Sequence, residues 1–432
     1  MLSQELIDLI IDELSCDKKA LINVSSVSRS WVPRSRNHLF RTLHLLPVSR
    51  REAPRYLATG TMEYHTQEFI DLCSHPHSTI SNAGPTHIKM TLSFYDRTRS
   101  LYTLPGYTVP AFGRLLSWLS ERREGERGLT ETNAHRLFWN VRHLTLLCIG
   151  SGESIEMLER VLLLSPFPRV TQLTLIDQSF RSRQSFSDVM SSFASLKHLA
   201  IDAEAFCLFP VFEHSSIDIS FPLSLTHIEV PMPRTFLEVL RSCSTLHNLT
   251  TVIRCPNVES ECIAINQFLE SSAAVRERRL KHCKLVLRSS EYSMPPGVIY
   301  ELSRFINFNK VQSWMIDTDR DAFVGGDIAM MPNVTTLVLH NFGNWNENFL
   351  QMATELDGVL SVQFPSLRVV KIPLYMVFER SILQRSGWDK VKKRVRKGSE
   401  AHRAMNEEAE KFRSFLPKCK EKGLLKMFVT PR

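Results

Sequence analysis

One short repeated pattern constrains this chain more than any other feature. Apolar residues favour the first, fourth and sixth places of six-residue stretches that begin at Val141, Val170, Leu196, Leu225, Leu246, Leu280, Val311, Val334 and Leu367. Steps between copies run from 21 to 34 residues, a mean of about 28. Two earlier stretches, from Phe40 and Pro85, fit the same pattern. A template that recurs this often marks an architecture in which each unit buries its apolar face against its neighbours. At 432 residues the chain is too long for one ordinary core, so it suits two domains or one elongated array.

Within a copy the apolar residues alternate, as on a strand with one buried face. The fourth and sixth positions then point into the core and the third and fifth point outward. Helical periodicities separate the copies, at Ile155–Leu164, Phe236–Leu240 and Val298–Ile306. Strand, helix, strand at a fixed period predicts an α/β fold with a parallel sheet, helices outside and right-handed crossovers. Pro168, Pro222, Pro332 and Pro365 stand just before a copy, where each ends a helix and sets an extended entry. The period resembles that of leucine-rich repeats. The asparagine ladder of that family is missing, its places being held by Ile149, Gln178, Glu204 and Pro233. The resemblance implies an irregular leucine-rich-repeat-like solenoid over residues 46–376. An ordinary doubly wound α/β domain is the alternative, and the template recurs too often for a sheet of modest size.

Residues 1–45 read differently. Leu2, Leu6, Leu9, Ile10 and Leu14 form one apolar helix face, widened by Ile7 and Ile11. Asp17 is placed to cap a second helix with Ala20, Leu21, Val24 and Val27 inside, and Pro33 to open a third that carries Leu39 and Phe40. Three helices this short bury little area and need the rest of the chain or a partner to lean on. The run Leu2-Ser3-Gln4-Glu5-Leu6, then Ile10, Leu14, Asp17, Ala20-Leu21 and Val24-Ser25-Ser26-Val27-Ser28-Arg29-Ser30-Trp31, resembles an F-box of the kind found in large fungal families, with Ser3 where that family usually has Pro. The stretch Ser74–Ile80 resembles a linker of the same families. The resemblance covers about a tenth of the chain. It implies that Leu2, Leu6, Ile10, Leu14, Val27 and Trp31 contact the Skp adaptor of a cullin-RING ubiquitin ligase. A plain helical cap on the repeats is the other reading of this segment.

Charge is segregated. The net charge is +8; from Glu379 onward 16 basic residues face 7 acidic ones, which leaves the body near neutral. The basic run Lys390, Lys392, Lys393, Arg394, Arg396 and Lys397 reads as a solvated helix face, a localisation signal or a phosphate-binding patch. The segment 377–432 is expected to form a mainly helical C-terminal cap with Phe412, Phe415, Leu416, Leu424, Leu425 and Phe428 as its cover. Nucleic acid is expected, if anywhere, at this basic tail.

No apolar run is long enough for a membrane span, and the acidic residues between Leu2 and Leu14 do not fit a signal peptide. The expected compartment is the cytoplasm, the nucleus or both, with the nine cysteines as free thiols. No catalytic motif stands out. Asp317-x-Asp319-x-Asp321 starts like a calcium loop but has Ala322 and Ile328 where Gly and Glu are required, so a solvated loop is expected. Cys243, His247, Cys255 and Cys262 lack a zinc knuckle, and Gly150-Ser-Gly152 lacks the rest of a nucleotide loop. No cofactor or metal is expected, and the resemblance implies a non-catalytic substrate receptor. The resemblance supplies the adaptor and the repeats hold a protein. A repeat scaffold outside any ligase, binding protein or nucleic acid, is the alternative. The third template position reads His143, Gln172, His198, His227, Asn248, His282, Ser313, Thr336 and Val369. The expected partner face is Lys197, His198, His227, Glu229 and His282. Neutral imidazoles there would read polar groups, so binding would weaken toward pH about 5.5.

Overall fold

The computed structural model describes residues 3–46, 62–75, 84–91, 114–115, 117–119, 121–124, 130–132, 138–147, 167–176, 180, 182–202, 219–230, 237, 240–254, 258–288, 297–323, 328–340, 349–376, 388–389, 394–395, 407, 410 and 413–431. The chain forms two compact units, Met1–Thr226 and His227–Arg432. Each is α/β and is built on a sheet whose described pairings are all parallel.

The first unit opens with three helices, α1 (Gln4–Glu13), α2 (Lys18–Ser25) and α3 (Val32–Phe40). Ser3 accepts from the Leu6 backbone N–H at 3.4 Å and Asp17 from that of Ala20 at 3.0 Å, so both helix starts are capped. Ser3 thus caps α1 at the place where the resembled family carries Pro. Pro33 lies in the first turn of α3, where its missing N–H costs nothing. The core of this segment is Ile7, Ile11, Leu21 and Leu39, with Leu14, Val24, Trp31 and Phe40 packed against it. Asp12 ties α1 to α3. It accepts two bonds from Arg34, at 2.7 and 2.6 Å, and one from His38 Nε2 at 2.7 Å.

Strands β1 (Thr42–Leu46), β2 (Met62–His65) and β3 (His87–Thr91) follow, with α4 (Thr66–Ser74) between the last two. After a small antiparallel ribbon of β4 (Arg122–Glu124) and β5 (Thr130–Thr132) come β6 (His143–Leu147), β7 (Gln172–Ile176), α5 (Arg183–Ser191) and β8 (His198–Asp202). The order across this unit's sheet is β2-β1-β3-β6-β7-β8.

The second unit contains β9 (His227–Val230), β10 (Asn248–Arg254), α6 (Val258–Ser271), α7 (Ala273–Arg276), β11 (His282–Arg288), α8 (Val298–Phe305), β12 (Ser313–Asp319) and β13 (Val334–His340). It continues with α9 (Phe349–Gln363), β14 (Val369–Met376), the β15 (Trp388–Asp389) and β16 (Arg394–Val395) ribbon, α10 (Pro417–Glu421) and β17 (Leu425–Pro431). Its sheet order is β9-β10-β11-β12-β13-β14-β17.

All nine template copies, and both earlier ones, fall on strands of these sheets. The fourth position is buried in all of them, from Leu43 and Ile88 to Trp314 and Val370. Two strands, β2 and β17, lie outside the template. The described tail residues comprise the β15–β16 ribbon, helical positions at 407, 410 and 413–415, the five-residue α10, and β17, which pairs with β14. The Asp357 carboxylate of α9, 2% exposed, holds this segment by accepting from the backbone N–H groups of Lys418 at 2.8 Å and Cys419 at 3.0 Å. Gly423, at φ +66°, then turns the chain into β17.

The six-residue template also stops short of a further apolar position. Three residues before its start stand Phe138, Phe167, Phe193, Phe308, Met331 and Phe364, all buried. Carbonyls there accept from the first template residue: Val141 to Phe138 at 3.0 Å, Val170 to Phe167 at 3.2 Å, Leu196 to Phe193 at 2.9 Å and Leu367 to Phe364 at 3.1 Å. This is a β-turn, which is why Pro168, Pro332 and Pro365 stand one residue further on. In the first unit the rings of Phe138 and Phe167 stack at 4.9 Å, and Phe193 follows Phe167 at 5.4 Å. Strand entry repeats as well. The Arg41 carbonyl accepts from Thr86 and His87, that of Thr86 from Arg142 and His143, and that of Arg142 from Thr171 and Gln172. Each carbonyl thus serves two donors of the next strand, which fixes the register of the rows.

Candidate functional site

Two surfaces gather the residues singled out from the sequence. The first lies on the N-terminal helices. The apolar face of α1 is wider than its core needs, and the structure selects Ile7 and Ile11 for that core. Leu6 is 50% exposed, Leu9 60%, Ile10 42%, Ile22 53% and Val27 67%. The sequence reading put Val27 on the inner face of the second helix, and it lies exposed just beyond the end of α2; Leu6, Leu9 and Ile10 belong to the apolar face read for α1. These three lie on the exposed side of α1, because its Ile7–Ile11 edge is the one that packs with Leu21 of α2 and Leu39 of α3. Of the expected adaptor contacts, Leu6, Ile10 and Val27 are each exposed. Leu14 and Trp31 are half-buried against the segment's own core, and Leu2 lies outside the described residues. Leu9 and Ile22 join the exposed set. Their signal in the sequence was an apolar content larger than one helix stripe can bury.

The second surface is the sheet face that carries the third and fifth template positions. In the first unit the strand register aligns Thr42, His87, His143, Gln172 and His198 in one row. His44, Lys89, Thr145, Thr174 and Ala200 form the next. The His87 and His143 rings lie 5.7 Å apart, and His87 Nε2 is 3.2 Å from Thr145 Oγ1. Burial, His143 and Lys89 push the His87 pKa down. Burial, Arg142, Arg41 and His198 do the same to His143. Burial, with Lys89 and His87 nearby, takes His44 down to about 4. A bare positive charge on these rings is disfavoured by partial desolvation and by its neighbours.

Of the expected partner face, Lys197 and His198 belong to the first unit, and His227, Glu229 and His282 to the second. Lys197, His227, Glu229 and His282 are exposed and His198 is half-exposed. Within the second unit Asn248 lies between His227 and His282 in the row and donates to His227 Nε2 at 2.8 Å.

The second unit's face is mixed in charge. Asp317 accepts from Lys284 Nζ at 2.9 Å and from His340 Nε2 at 2.7 Å. Burial raises its pKa, but the bonds from His340 and Lys284 outweigh burial and hold the carboxyl below its ordinary value. Asp317 and Asp319 lie on β12, with the Asp317 side chain 17% exposed. The solvated loop expected there is a paired strand, because the alternation of β12 continues through both acids. Cys243 and Cys262 are buried, and Cys255, Gly150-Ser-Gly152 and the helix expected at 155–164 lie outside the described residues. Among the described residues no cluster of His, Cys, Asp or Glu is arranged to hold a metal, and no helix is long and apolar enough to cross a membrane. In comparison with known proteins, no family model and no curated protein matches this sequence.

Proposed function

We propose that the chain is a non-catalytic substrate receptor of a cullin-RING ubiquitin ligase. Residues 1–45 act as an F-box that docks on a Skp-type adaptor, and a right-handed leucine-rich-repeat-like solenoid holds a protein substrate. The observation that carries this reading is the exposed set Leu6, Leu9, Ile10, Ile22 and Val27, on a segment whose own core is four residues. Apolar side chains exposed together on so small a unit are what a partner would bury. The receptor itself does no covalent chemistry; it supplies proximity between ligase and substrate, in the cytoplasm or nucleus.

Affinity purification with and without residues 1–45, read by mass spectrometry, tests it: the adaptor is recovered with the full chain and lost with the truncation. Recovery of other partners without any adaptor selects the alternative of a repeat scaffold. One observation favours that alternative: α3 runs directly into β1, and the carbonyl of Arg41 between them receives the strand entry of β3, as in a plain end cap.

A further inference from the structure

The two sheet faces differ in charge. In the first unit Lys89 is half-exposed, and Arg41, Arg142 and Lys197 at the strand entries are exposed. Among the described residues of this unit's sheet strands, acidic positions are Glu63, in register with His44, and Asp202, at the far end of β8. In the second unit the face also carries Glu229, Asp317 and Asp319, and Asp317 already holds Lys284 and His340. The row five strands wide therefore presents three imidazoles, a hydroxyl and an amide, with the cations Arg41, Arg142 and Lys197 at its strand entries and Lys89 in the next row. At about 4.8 Å per strand that row spans about 19 Å, the reach of about six residues of extended peptide.

We propose that the row from Thr42 to His198 binds an acidic peptide segment and takes up protons as it does so. The inference rests on the reading of the sheet as the partner face and is independent of adaptor docking. Charge complementarity selects the ligand: cations and His donors outnumber the acids, and carboxylate side chains satisfy both. The row offers no Phe, Tyr or Trp for bases to stack on, which favours a peptide over single-stranded nucleic acid.

The groups facing His87 and His143 are each other, His44, Lys89, Thr145, Arg41, Arg142 and His198. In the free chain they oppose protonation. A carboxylate placed among them reverses that, so the bound state holds more protons than the free one. Affinity then rises as pH falls, opposite to the sign expected for a partner presenting neutral polar groups. If docking raises one imidazole pKa by about one unit, the gain reaches about tenfold.

The test uses the full chain with Lys390, Lys392, Lys393, Arg394, Arg396 and Lys397 changed to Gln, so that the basic tail does not compete. The probe is a fluorescent octapeptide of alternating Glu and Thr, followed by anisotropy between pH 7.5 and 5.5; the matched peptide of Gln and Thr is the control. The Glu peptide should bind and gain about tenfold over this window, and the Gln peptide should not bind. His87→Gln with His143→Gln should remove the gain. Arg142→Gln with Lys197→Gln, both exposed, should weaken binding at every pH and serves where the histidine pair perturbs folding. Equal binding of the two peptides, an affinity that ignores pH, or tighter binding of an oligouridylate of equal charge overturns the proposal. Adaptor recovery is scored on the same samples. Peptide failure with adaptor retained sinks this inference alone, and the converse sinks the F-box reading alone.

Discussion

Two neighbouring residues of α1 separate docking from folding. Ile11 is fully buried in a four-residue core, whereas Ile10 is 42% and Leu6 50% exposed. Burying a large aliphatic side chain completely is worth about 1.5–3 kcal/mol. The exposed halves of Leu6 and Ile10 therefore leave about 0.7–1.5 kcal/mol each for a partner to gain. Leu6→Ala with Ile10→Ala should thus weaken adaptor binding by about 10- to 100-fold, at 1.4 kcal/mol per decade, with little change in folding. Ile11→Ala removes buried atoms and leaves a cavity, at a cost of about 2–5 kcal/mol, which so small a core cannot absorb. Adaptor binding would be followed by surface plasmon resonance with the adaptor immobilised, and folding of the N-terminal helices by hydrogen exchange at their amides. The exposed double variant should lose affinity with exchange protection intact, and Ile11→Ala should lose both. Full adaptor binding by Leu6→Ala with Ile10→Ala would refute the assignment of this face.

Other consequences follow from single contacts. The Arg34 and His38 bonds hold the Asp12 carboxyl far below the ordinary carboxylate range. Its contribution is thus complete above pH about 4 and fades as acid protonates it; Asp12→Asn should remove that acid limb from the unfolding profile of the N-terminal helices. Asp357→Ala leaves the N–H groups of Lys418 and Cys419 without their acceptor, costing about 1–3 kcal/mol for the buried Cys419 donor and less for the part-buried Lys418 donor. Amides of β17 should then exchange faster while those of β10 and β11 do not. For the same reason, deleting 379–432 to probe the basic run would also strip β17 from β14, and charge neutralisation is the cleaner experiment. Phe167→Ala, which removes the middle ring of the Phe138–Phe193 stack, should cost about 3–5 kcal/mol, read as a lowered urea midpoint of the first unit.

The sequence by itself determined the strands. Alternation with a period of two is a local property, so the template alone places β6 to β14 and the burial of its fourth position. The caps at Asp17 and Pro33 were legible for the same reason, being contacts over one helical turn. Local pattern did not determine which of several apolar stripes on α1 turns inward, because Ile7 and Leu6 are equally apolar and only the approach of α2 and α3 distinguishes them. Nor did it determine that β17 returns to pair with β14, a contact set by Asp357 some sixty residues away. The phenylalanine before five of the nine template strands was written in the sequence, but its role emerges only once Phe138, Phe167 and Phe193 are stacked. The side-by-side imidazoles fall at His87 and His143, residues 56 positions apart in the chain, because register between parallel strands is decided by tertiary pairing and by the paired hydrogen bonds at each strand entry.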